Sequence, residues 1–213
     1  MEKTKIKICG LKSIEDVLAV NEVKPDYAGF VFAQSSRQIS EELAEELRKR
    51  LAPNIIPVGV FVNEDREKLL RLCDRKIIHM IQLHGDEDEE YIAAIRSRVK
   101  NPVIKAVRVR STEDIRRVGA MDSEYLLLDA FHGKEYGGSG VSFDWSLIPN
   151  MNKPFFLAGG INSTNVLEAI RRYQPYGIDV SSGVETGGSK DPAKLRQLLH
   201  LIRSTDPISH KEV

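Results

Sequence analysis

Cysteine is scarce in this chain. The two present, Cys9 and Cys73, form neither a C-x-x-C pair nor a disulfide framework. That usage leads us to expect a reduced, cytoplasmic protein. No His/Cys group has zinc-ligand spacing, so no metal is expected. Charge of one sign is lacking as well: 31 Lys and Arg balance 31 Asp and Glu. A nucleic-acid domain usually carries a basic excess, so no nucleic-acid partner is expected. No apolar run approaches the ~20 residues that a membrane helix needs. The first residues, Met1 to Lys5, lead into a strand without an apolar signal core, and no membrane partner is expected. No Ser/Gly/Pro linker divides the 213 residues. The expectation is one domain over residues 1–203 and a polar, frayed tail over 204–213.

What is present is an alternation of apolar strands and amphipathic helices. Strands are expected at Lys5–Cys9, Tyr27–Phe32, Ile55–Val62, Ile77–Leu83, Pro102–Val109, Tyr125–Leu128, Phe155–Leu157 and Tyr176–Ser181. Helices are expected from Ser13, over Glu41–Leu51 with Ser40 as cap, over Asp65–Cys73, through Tyr91, Ile92, Ile95 and Val99, and over Thr112–Val118. Further ones follow as a short turn near Trp145, over Ser163–Tyr173 and over Pro192–Ile202. Strands buried on both faces and separated by helices imply a parallel sheet. Eight such units in this length suit a single-domain α/β fold, the (β/α)₈ barrel. An open doubly wound sheet is disfavoured, because no G-x-G-x-x-G follows the first strand.

In such a barrel the reacting groups sit at the C-terminal ends of the strands. The polar residues there are Cys9, Arg37, Asn63, Gln82, His84, Asp129, Gly159-Gly160 and the segment Asp179 to Gly183. The glycines after strands 7 and 8 read either as tight turns or as a phosphate site made of backbone N–H groups. Two such clusters in these loops favour the phosphate site. An isolated free cysteine is most often a small buried hydrophobe, and Cys73, among Leu69, Leu70 and Leu72, fits that role. Cys9 differs because it ends a strand just before Gly10. Its thiol needs nearby positive charge to ionise near neutral pH.

Period-two alternation puts Lys5, Lys7 and Cys9 on one face, with Ile6 and Ile8 outward. An inward lysine needs a partner. Strand 8 closes against strand 1, so a Lys7–Asp179 ion pair beneath the thiol is expected. Asp129 reads as a loop or cap carboxylate, or as a general acid, since burial raises a carboxyl pKa. His84 reads as a positioning residue in preference to a proton carrier. Arg37 is either a solvated loop arginine or a fork for a carboxylate.

Together these residues resemble the phosphoribosylanthranilate isomerase family. The similarity runs through Lys7-Ile8-Cys9-Gly10, Gly29-Phe30-Val31-Phe32, Ser36-Arg37 and Gly59 to Asn63. It continues through Gln82 to Gly85, Leu128-Asp129, Tyr136 to Gly140 with Phe143 to Trp145, Ala158 to Asn162 and Asp179 to Gly183. The resemblance implies an Amadori rearrangement of N-(5'-phosphoribosyl)anthranilate in tryptophan biosynthesis, with Cys9 as general base and Asp129 as general acid. It implies that Arg37 takes the anthranilate carboxylate. Gln82, His84, Gly138, Gly159, Gly160, Ser182 and Gly183 would line the rest of the substrate site. The partner is a small phosphorylated substrate, no cofactor is needed, and the chain is a monomer or homodimer. A histidine-pathway isomerase, which uses aspartates, and a non-catalytic phosphate-binding barrel are the alternatives.

Overall fold

The structure, a computed structural model, describes residues 3–130 and 144–204. Eight parallel strands close into a barrel in sequential order. They are β1 (Lys5–Cys9), β2 (Tyr27–Val31), β3 (Ile56–Phe61), β4 (Met80–Leu83), β5 (Val103–Val109), β6 (Tyr125–Ala130), β7 (Phe155–Leu157) and β8 (Gly177–Val180). Around them lie α1 (Ile14–Val23), α2 (Glu41–Arg50), α3 (Arg66–Asp74), α4 (Glu89–Arg96), α5 (Thr112–Gly119), α6 (Val166–Tyr173) and α7 (Pro192–Arg203). Between β6 and β7 the described chain has only a 3₁₀ turn, Trp145–Leu147.

Local chemistry sets the helix starts. Ser13, Ser40, Asp65, Asp88, Ser111 and Asp191 each place a side-chain oxygen on an otherwise unpaired N–H of the first turn. The exception is α6, which starts at Val166 and not at Ser163. Asn162 and Asn165 explain the delay: Asn165 Oδ1 accepts the Asn162 N–H at 2.9 Å, and both amides donate to the Gly160 carbonyl. Likewise β4 begins at Met80 and not at Ile77, because Lys76 turns the chain at φ 55° and Ile77 N–H closes back on Leu72 at 3.0 Å. Val99 lies beyond α4, although it packs on the same core.

Alternation along the strands divides the apolar residues into two cores. One side of each strand, including Ile6, Ile8, Leu126 and Leu128, packs against the helices. The other side, with Val58, Met80, Ile104, Leu127 and Phe156, fills the barrel. A small antiparallel ribbon, β9 (Glu185–Thr186) and β10 (Ser189–Lys190), extends beyond β8. Gly187 and Gly188 turn it with φ of 60° and 79°, the double left-handed turn that glycine permits.

Candidate active site

The inward series of five strands ends in a polar or small residue at the C-terminal mouth. Lys7 leads to Cys9, Met80 to Gln82 and His84, Leu127 to Asp129, Phe156 to Ala158, and Asp179 to Ser181. One cavity there is lined by Cys9, Arg37, Gln82, His84, Asp129, Gly159, Gly160, Asp179, Ser181, Ser182 and Gly183. Every residue that the resemblance assigns to the site within the described chain lies on that cavity. Asn63, also expected at this mouth, does not, because its Oδ1 instead accepts the Asp86 N–H at 2.8 Å. Gly138, together with the Tyr136–Gly140 loop and Phe143, lies outside the described residues, as does the tail from residue 205.

Cys9 sits beside Gly29 on β2. A Cβ at position 29 would stand 2.7 Å from Cys9 Sγ, so glycine there makes room for the thiol. Beneath it, the fully buried Lys7 donates from Nζ to Asp179 Oδ1 at 2.9 Å, and the two residues are register partners on β1 and β8. The expected ion pair is therefore present. Burial by itself would depress the Lys7 pKa, but the Asp179 and Cys9 charges outweigh it and raise it. Burial likewise pushes the Cys9 thiol above its ordinary value. Lys7 pulls it down, Asp179 pushes it up and Lys190 pulls it down, with a net rise.

Asp129 is buried at the end of β6, and its Oδ1 accepts the Ala130 N–H at 2.8 Å. Oδ2 faces His84 Nε2 at 3.2 Å. Gln82 Nε2 lies 2.9 Å from His84 Nδ1, and since an amide nitrogen only donates, Nδ1 accepts; Nε2 stands beside the carboxylate without a hydrogen bond to it. Gly159 serves Asp129 directly. A Cβ there, at φ 77°, would stand 2.8 Å from Ala130 N and 3.1 Å from Asp129 Oδ1. Gly183 brings the loops after β7 and β8 together, since its Cβ would fall 2.0 Å from the Ile161 carbonyl oxygen.

Arg37 crosses above Gly10 and presents one edge of its fork to a carboxylate, but that carboxylate is the protein's own Glu185. Arg37 Nε donates to Oε1 at 2.9 Å and Nη2 to Oε2 at 2.7 Å. Lys190, with its side chain buried, donates to the same Oε1 at 2.6 Å. Glu185 and Lys190 were not anticipated from the sequence. The available signal was Gly187-Gly188 between two short polar segments, which marks a hairpin.

A sequence model described as N-(5'phosphoribosyl)anthranilate (PRA) isomerase matches residues 6–200. This chain belongs to that family. An N-(5'-phosphoribosyl)anthranilate isomerase of Endomicrobium trichonymphae is 48% identical over 200 residues, which cover 94% of this chain and 98% of the relative. The crystal structure of phosphoribosyl anthranilate isomerase from Thermotoga maritima superposes with a TM-score of 0.82 at 35% identity, covering 95% of this chain and 100% of that one. A second solved phosphoribosyl anthranilate isomerase is in complex with reduced 1-(o-carboxyphenylamino)-1-deoxyribulose 5-phosphate. It superposes with a TM-score of 0.79 at 34% identity, covering 95% of this chain and 100% of that one. Among the described residues of this phosphoribosylanthranilate isomerase family member, no helix is long and apolar enough to cross a membrane.

Proposed function

We propose that this chain converts N-(5'-phosphoribosyl)anthranilate to 1-(2-carboxyphenylamino)-1-deoxyribulose 5-phosphate, with Asp129 as general acid and Cys9 as general base. The observation that carries the assignment is their meeting: the two residues end the inward series of β1 and β6 and line one cavity with Arg37 and the loops after β7 and β8. Asp129 protonates the ribose ring oxygen, the ring C1–O bond breaks, and the anthranilate nitrogen forms a protonated Schiff base. The Cys9 thiolate takes the proton from C2, the electron pair of that C–H bond forms the C1=C2 bond, and the C=N π pair moves onto nitrogen to give an enolamine. The enolamine then loses its hydroxyl proton and gains one at C1 to give the ketone, and the two side chains reset by exchange with water. The imine is itself the electron sink, so the chemistry asks for no cofactor.

His84 stands beside the Asp129 carboxylate with Nε2 3.2 Å away, and Gln82 orients the His84 ring through Nδ1. The loops at Gly159-Gly160 and Ser182-Gly183 take the phosphate through backbone N–H groups. Arg37 takes the anthranilate carboxylate on the edge that Glu185 leaves open.

The purified chain is expected to consume N-(5'-phosphoribosyl)anthranilate, followed as loss of anthranilate fluorescence. Cys9→Ala and Asp129→Asn are each expected to lose at least ~100-fold in turnover while inorganic phosphate still binds. An inactive wild-type protein overturns the function, and a variant that keeps most of its turnover overturns the acid–base assignment.

A further inference from the structure

The ribbon β9–β10 is too small to add to the barrel core, yet it is fixed at several points. Lys190 N–H donates to Asp16 Oδ1 at 2.7 Å, and the other oxygen of that buried carboxylate accepts the Lys12 N–H at 3.0 Å. Thr186 Oγ1 donates to Asp191 Oδ2 at 2.7 Å, and Lys194 Nζ to the Glu185 carbonyl at 2.6 Å. The pairing register sets Glu185 directly opposite Lys190. Lys190 Nζ also reaches the Ser181 carbonyl at 3.3 Å, and Ser181 Oγ donates to the Cys9 carbonyl at 3.0 Å. A chain of polar contacts thus runs from the ribbon to the backbone of the proposed base.

Glu185 uses both oxygens on Arg37. Its side-on grip takes Nε–H and one Nη2 hydrogen. A guanidinium has five donors in one plane, so Nη1 and the second Nη2 hydrogen form another edge that matches a carboxylate. Arg37 Nη1 has no partner among the described residues, and Arg37 lines the cavity. A flexible loop arginine would spread over many rotamers, whereas a bidentate clamp holds one plane.

We infer that Glu185 is a positioning residue for the reaction: it fixes the Arg37 plane so that the open edge receives the substrate's anthranilate carboxylate, and Lys190 holds Glu185 in place. The inference rests on the reading of Arg37 as the carboxylate site. Electrostatics agree with it. Burial alone would raise the Glu185 carboxyl, but the Arg37 hydrogen bonds and the Lys190 charge hold it down at about 2, so the clamp is ionised at neutral pH.

The test is steady-state kinetics on Glu185→Gln and Arg37→Ala, alone and combined. Glu185→Gln is expected to raise KM about tenfold, the loss that one charge-assisted contact produces. Its kcat should stay within about threefold, and inhibition by inorganic phosphate should be unchanged. In the Arg37→Ala background the same change should alter KM by less than about twofold, because nothing is left to position. Glu185→Asp keeps the charge beside Lys190 but withdraws it from Arg37, and should reproduce the KM rise with the fold intact. An unchanged KM in both Glu185 variants overturns the inference. So does an equal KM rise in the Arg37→Ala background, which would mark Glu185 as a structural brace. A normal KM for Arg37→Ala alone overturns the reading of Arg37 itself, and the inference with it.

Discussion

The two mouths of the barrel continue the same inward-facing residue series and are opposite in character. At the N-terminal mouth, Tyr27, Tyr125 and Tyr176 surround Phe156 with ring centroids 5.5, 5.8 and 5.3 Å away. A direct polar contact there joins the Tyr27 and Tyr176 hydroxyls at 2.8 Å. At the C-terminal mouth the same series ends in a thiol, an amide, an imidazole and carboxylates. The Lys7–Asp179 pair lies between the two. Apolar burial is non-directional, so the aromatic end can hold the barrel closed without fixing each atom. Polar groups out of water must each find a partner, so the other end is specified contact by contact. Stability and chemistry are therefore placed at opposite ends of one core.

Three substitutions test that division, taken from the largest expected effect. Phe156→Ala should cost about 3–5 kcal/mol of unfolding free energy in denaturant titration, with KM of the folded variant within about twofold of wild type. A KM that moved with stability would show the mouths to be coupled. Asp179→Asn leaves the buried Lys7 charge unpaired and should cost about 3 kcal/mol. It also reaches the chemistry. Asp179 raises the Cys9 thiol, so its removal lowers that pKa, and the limb of the kcat/KM profile that rises with deprotonation should move to lower pH. An unmoved limb would make the pair part of the closed end alone. Tyr27→Phe, which removes one hydroxyl contact, should cost about 1 kcal/mol and leave turnover unaltered.

Much of this arrangement could be read from the chain before its structure. Apolar runs separated by capped helices carry the eight strands, and period-two alternation alone puts Lys7 inside and, with β8 closing on β1, opposite Asp179. The aromatic mouth was less readable, because Tyr27, Tyr125 and Tyr176 are spread along the chain and gather only through strand order. The Arg37 clamp was hidden for the same reason: 148 positions separate Arg37 from Glu185. Strands of two residues, as in β9 and β10, carry too little pattern to stand out. Gly159 was read for phosphate, while its tight contact with Asp129 depends on the pairing of β6 with β7.

The seam between β1 and β8 has a consequence for how the protein is made. Lys7 and Cys9 leave the ribosome well before Asp179, Ser181, Glu185 and Lys190, with 172 positions between Lys7 and Asp179. Throughout synthesis a lysine destined for a dry interior has no counter-charge, so the barrel gains little by closing early. Contacts of such long sequence separation must also wait on slow loop closure. Completion of the mouth therefore coincides with completion of the fold, and a nascent chain that lacks β8 has the proposed base but no enzyme.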